Sequence, residues 1–375
     1  MSSSSPTLSC LPAIAVSKEE GLIAFSVGPN IHIFDKSLQK ELLNHKLEKT
    51  NVKSMLFEGK YFVVASSEDK SVLVFLLNDT NTQLKCVGKI ELVKKPSCLA
   101  VHPVTKELWI GDKFGDVYAI NLLTEFDSNN ASPKLIKKPA PKMGHLAMLT
   151  GLILNEKYVV TSDRDEKIRI TNYPEYFLVH NFCLGHTEMV SCISQADDGL
   201  LVSASTDNTL KVWKYLLDSD DALKFSFDCS ENNYPNVLQC MTIGGLKFVF
   251  VLYEQADYIQ VLQLNTETYE LAPKCTIPMG CEILNFLVYQ VDNKTQITLF
   301  TASSPNVHVA DLSVKESGDL SINTVPSHAI TIESFKKEDF VSDSIYSSLI
   351  RKMDSKKNEN EGEDKQPKKK KKDKK

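Results

Sequence analysis

The chain has 375 residues, 42% of them apolar, and a net charge of −5, enough for one large domain or two ordinary ones. No apolar run reaches the roughly 18 residues that cross a bilayer, and the start MSSSSPTLSC lacks the basic-then-apolar order of a secretory signal. Nine cysteines are scattered without a C-x-x-C pair, which argues against a zinc site and predicts buried thiols in a reducing compartment.

The charge is uneven. From Arg351 onward there are 12 basic and 6 acidic side chains, a net of +6, so residues 1–350 carry −5 − 6 = −11. An acidic body is a poor candidate for gripping nucleic acid alone, because phosphate affinity comes from clustered Lys and Arg.

Strand signals dominate in chain order: LIAFSVG, YFVVASS, SVLVFLL, ELWIG, VYAINLL, KYVVTSD, LLVSAST and KFVFVLY are short, apolar and bounded by turn residues. They recur as an apolar strand, a second strand ending in small residues, a polar turn and a third strand. The turns fall near Pro29-Asn30, Glu68-Asp69, Phe114-Gly115, Asp165-Glu166, Asp207-Asn208, Asp257 and Pro305-Asn306. From Asp69 onward they lie 46, 50, 42, 50 and 49 residues apart. Multi-stranded repeats of this period predict a β-propeller. Seven units fit, at roughly 12–44, 51–78, 94–122, 145–174, 186–214, 234–264 and 280–312. The last blade is expected to take a strand from a terminal segment, either near Leu8 to Ala15 or Ser321 to Val325.

Two neighbouring units carry the WD-repeat pattern. Gly144-His145 matches Gly185-His186, Asp165 matches Asp207, and Thr171 stands where the next unit has Trp213. A His, a Ser or Thr, an Asp and a Trp can form one hydrogen-bonded row, and buried polar groups need such partners. His145, His186, Asp207 and Trp213 are therefore assigned structural roles, with Ser203 or Ser205 as the hydroxyl.

The segments 127–142 and 218–235 read as long polar connections and candidate contact surfaces. Beyond 330, Val341, Ile345 and Leu349 recur every four residues, which predicts a short helix. The tail from Asp354 is almost wholly polar and is expected to be disordered. Its Lys368, Lys369, Lys370, Lys371 and Lys372 form a candidate nuclear-targeting or RNA-binding run. The division is thus an all-β propeller over 1–330, a helical extension over 331–353 and a basic tail over 354–375.

Glycine-rich nucleotide loops, the H-E-x-x-H motif and the G-x-S-x-G elbow are all missing. The most charged stretch, Asp163 to Arg169, holds six charges in seven residues. Asp165 is expected to hold the turn as Asp207 does. Ile168 and Ile170 alternate with Lys167 and Arg169, so the bases face away from the isoleucines. Catalysis would need a second group or a metal, and none is legible, leaving a solvated turn or a charged contact patch.

The stretches GHLAMLTGLIL, YVVTSDRDEKIRITNYP and FCLGHTEMVS resemble the non-catalytic WD-repeat subunit of the eukaryotic tRNA (guanine-N7)-methyltransferase. The matching core runs from Gly144 to about Ser191, and the surrounding rhythm fits over 10–325. The resemblance implies a seven-bladed propeller without catalytic residues, metal or cofactor, paired with a separate S-adenosylmethionine-dependent subunit. It implies that the pair methylates a guanine in the tRNA variable loop, that tRNA is met through the complex, and that the location is nuclear. Carried onto this chain, the contact residues are Asp165, Glu166, Lys167 and Arg169. The competing readings are a generic WD-repeat scaffold binding through its end-face loops and, with less support, an independent enzyme.

Overall fold

The computed structural model describes residues 13–324 apart from 18, 37–39, 49, 67, 127–131, 230–233 and 304–306. The expected helix at 331–353 and the lysine run 368–372 lie outside the described residues. The described residues form seven sheets in sequence order, antiparallel apart from one added strand, which are the blades of a propeller. Blade 1 spans 14–46 and blade 2 spans 52–91, while blade 3 has its first three strands in 96–121. Blades 4 to 7 span 149–183, 190–228, 235–278 and 283–324.

Each blade has at least four strands, where the sequence rhythm showed three. The extra one is the outermost. Strands such as Glu41–Lys46 (ELLNHK) and Leu223–Asp228 (LKFSFD) mix exposed and partly buried positions and have none that is fully buried. Facing solvent at the rim, they carry no apolar run. The second strands are the opposite: Leu22–Val27 and Leu200–Ser205 are buried at every position, sandwiched between neighbouring blades.

The ring closes by packing. Of the two terminal segments expected to complete the last blade, Ser321 to Thr324 does so, within its outer strand Leu320–Thr324. Ile14–Ser17 is the first strand of blade 1, and residues 8–12 lie outside the described residues. Among the described residues neither segment pairs across the seam. Instead Ile23, Phe25 and Phe34 of blade 1 meet Tyr289, Phe300 and Val309 of blade 7. The Phe25 and Phe300 rings lie 6.2 Å apart.

Blade 3 departs from the pattern. After its third strand the chain makes a short helix, Leu122–Glu125, and seats Phe126 on blade 2. A Cβ at Gly88 would lie 2.1 Å from the Phe126 ring, so only glycine fits there. Lys134–Lys137 then adds a fifth strand to blade 2, parallel to Leu84–Glu91. The chain returns as the two-residue strand Met143–Gly144, which is all that completes blade 3. Pro139 and Pro141, just before it, have no N–H to extend that ladder. The segment read as a loop is therefore a strap joining two blades.

The eight described cysteines are free thiols. Burial pushes Cys183, Cys192 and Cys240 up to about 12, so they are chemically inert at neutral pH. Among the described residues no helix is long and apolar enough to cross a membrane.

Candidate protein-docking face

In a four-stranded meander the turn between strands two and three emerges at the same end as the link to the next blade. On blade 5 this end is held by a closed row. His186 Nδ1 donates to Asp207 at 2.9 Å, Ser203 Oγ lies 2.7 Å from His186 Nε2, and Trp213 Nε1 donates to Ser203 Oγ at 2.7 Å. Asp207 also accepts from the backbone of Thr187 and Thr209. Burial alone would raise Asp207, but His186, Thr209 and Thr187 together hold it well below the usual carboxylate range. Burial lowers His186 despite Asp207, so the ring is neutral near pH 7 and serves as one donor and one acceptor.

Blade 4 builds the row differently. His145 Nδ1 faces Asp163 at 2.9 Å and His145 Nε2 lies 2.7 Å from Thr161 Oγ1. The structural carboxylate is thus Asp163, two residues before the expected Asp165. The cause is the strand-end position. Asp163 accepts from the backbone N–H groups of Asp165 and Lys167 at 2.9 and 3.2 Å, so it holds the turn and the histidine together. In blade 5 the same place is Ser205, which caps the Asp207 N–H but leaves the histidine to Asp207. Asp112 of blade 3 likewise accepts from Phe114 and Asp116, so GDKFGD and SDRDE share a legible signal. Burial would raise Asp163, but the bond to His145 and the backbone donors keep it low.

The displacement frees the turn. Arg164, Asp165, Glu166 and Lys167 are all exposed, and Arg164 Nε lies 3.5 Å from Asp165. Glu166 takes the left-handed bend at φ 70°, as Asn208 does at 62° in blade 5. Arg169 differs from its neighbours. It is partly buried, donates from Nη1 to the Gly144 carbonyl at 2.9 Å, and has a buried Nε without a partner among the described residues. Burial lowers its pKa while Asp163 opposes this. Ile168 and Ile170 are fully buried against blade 5, on the other face of the strand.

Sequence reasoning missed the apolar side chains around these charges. Leu146 is 101% exposed, Phe114 62% and Leu184 53%, all in connections at this end. Lys94 Nζ sits 3.7 Å over the Phe114 ring. The His145 N–H donates to the Gly115 carbonyl at 2.9 Å, which brings the Phe114 and Leu146 loops together. Single apolar residues in loops leave no periodic trace. The face thus combines a freed mixed-charge turn with an apolar border, a composition suited to protein contact. Among the described residues no three His, Cys, Asp or Glu side chains gather into a metal site.

Seven blades in a ring, two of them carrying a His-carboxylate-hydroxyl row, define a WD-repeat propeller. A family model, described as the tRNA methyltransferase TRM82 WD40 domain, matches residues 35–142 and 138–320, and the chain belongs to that family. A Kluyveromyces lactis protein named tRNA (guanine-N(7)-)-methyltransferase non-catalytic subunit TRM82 is 33% identical over 183 residues, 46% of this chain and 40% of that protein. The Eremothecium gossypii protein of the same name is 23% identical over 323 residues, 79% of this chain and 67% of that one. A Dictyostelium discoideum protein named as the non-catalytic subunit wdr4 is 30% identical over 217 residues, 54% of this chain and 46% of that one. The matches thus span between 40% and 67% of the length of these relatives.

Proposed function

We propose that this chain is the non-catalytic subunit of a tRNA (guanine-N7)-methyltransferase. It docks on a separate catalytic subunit through the exposed turn of blade 4, holds that subunit in an active form, and helps place tRNA for methylation in the variable loop. Its site of action is the nucleus. The observation that carries the reading is the turn itself: in a chain of the TRM82 family, Asp163 takes over the structural hydrogen bonds and leaves Asp165, Glu166 and Lys167 exposed. Arg169 orders the adjoining loop through Gly144 and supplies a guanidinium edge suited to a carboxylate.

The test is co-purification with the catalytic subunit of the host, followed by an assay of guanine-N7 methylation of tRNA. Activity is expected from the pair and from neither chain alone. Arg169→Glu is expected to weaken association by about 2–5 kcal/mol while the propeller stays folded. Turnover by this chain alone, or no association at all, overturns the reading.

A further inference from the structure

The strap between blades 2 and 3 is one-sidedly charged. Ser132 to Gly144 (SPKLIKKPAPKMG) contains four lysines and no acidic residue, within a body that is acidic overall. Two nearby carboxylates are already engaged: Glu125 with Lys134 at 2.6 Å and Glu91 with Lys89 at 3.4 Å. Lys137, Lys138 and Lys142 are exposed and form no ion pair with any described carboxylate.

The strap is also held in shape. Its strand is hydrogen-bonded to blade 2, the Lys138 N–H donates to the Glu91 carbonyl at 2.7 Å, and Pro139 and Pro141 stiffen the return towards blade 3. Lys138 sits at φ 47°, a left-handed conformation that a non-glycine residue adopts only where its surroundings hold it. The far end reaches the docking face, where Gly144 receives the Arg169 hydrogen bond. Whatever a partner bound there carries would lie beside the strap.

We propose that Lys137, Lys138 and Lys142 form a track for the phosphate backbone of the RNA held by the complex; the identity of that RNA as tRNA rests on the function proposed above. Lysine is depleted from protein-protein interfaces, whereas phosphate binding relies on it. A carboxylate-free row on a fixed backbone fits a polyanion better than a protein surface of mixed charge.

The experiment compares the triple variant Lys137→Gln, Lys138→Gln, Lys142→Gln with a control triple, Lys214→Gln, Lys274→Gln, Lys294→Gln, taken from exposed positions on blades 5 to 7. Both are made with and without residues 354–375, which separates the strap from the lysine tail. Binding of tRNA is measured across a salt series for the full chain and for its pair with the catalytic subunit. The strap variant is expected to pair normally, to bind tRNA about tenfold more weakly, and to lose about 2 from the salt slope, at roughly 0.7–0.9 per phosphate contact. Affinity and slope equal to the control overturn the proposal. Lost pairing with unchanged RNA affinity also overturns it, because the strap then faces protein. If the unmodified chain never pairs, the functional reading falls, and the same slope comparison on the full chain decides the strap.

Discussion

Blades 4 and 5 are neighbours built from one repeat, yet they distribute their polar groups differently. Blade 5 directs His186, Ser203, Asp207 and Trp213 at one another, and its turn carboxylate is fully engaged. Blade 4 shifts that work to Asp163 and puts Thr171 in the tryptophan's place, where its hydroxyl is buried without a partner among the described residues. One carboxylate holding both the turn and the histidine leaves the next four side chains unconstrained by the fold. A repeat can thus acquire a docking surface by moving one hydrogen-bond acceptor two positions along a strand.

The sharpest way to break this comparison is to remove each structural carboxylate. Asp207→Ala and Asp163→Ala each strand several buried donors, and each is expected to cost about 3 kcal/mol in chemical denaturation. If Asp163→Ala costs less than about 0.5 kcal/mol, Asp163 is not the structural acid and the comparison fails.

Acid titration gives the next largest effect. His186 has its pKa lowered in the folded state by burial, so the unfolded chain takes up the proton first. Its contribution is complete above the unfolded value of about 6.5 and declines as pH falls below it, by up to about 1.4 kcal/mol per pH unit. Asp207 and Asp163 are depressed, so their contributions are present above about 3.9 and are lost at lower pH. Denaturation midpoints of the unmodified chain and His186→Asn between pH 7 and 5 should differ in slope by up to one proton. Equal slopes would place the loss elsewhere.

The smallest expected change in stability is the most diagnostic. Asp165→Ala should shift stability by less than about 0.5 kcal/mol. It should nevertheless weaken association with the catalytic subunit about tenfold, close to 1.4 kcal/mol. Leu146→Ala should behave the same way, since its side chain is fully exposed. Both are read by co-purification beside thermal melting. A fall in stability that matches the fall in association would make the turn structural after all.

The propeller was legible because second and third strands buried between blades must be apolar runs, as in YFVVAS and LLVSAS. Outer strands escaped because their rim positions accept polar residues. The strap escaped because its proline and lysine content matches that of a loop, while the anchor, Phe126 on Gly88, is a tertiary contact with no local signature. Aligning Asp165 with Asp207 was correct for the backbone, since Glu166 and Asn208 share the left-handed bend. It failed for the side chains, because spacing does not say which acceptor a histidine will choose.

The seam between blades 1 and 7 bears on how the molecule is made. Among the described residues each of these blades has its four strands within its own stretch of chain, and no strand of blade 1 pairs with residues synthesised some 270 positions later. Blades can therefore form in the order they leave the ribosome, with the last step a docking of two finished surfaces. The same joint is the one place where neighbouring blades lack a direct chain link, and it should be the first to part under mild denaturant. Faster hydrogen exchange on the facing strands of blades 1 and 7 than on those of blades 4 and 5 would show a ring that opens like a clasp.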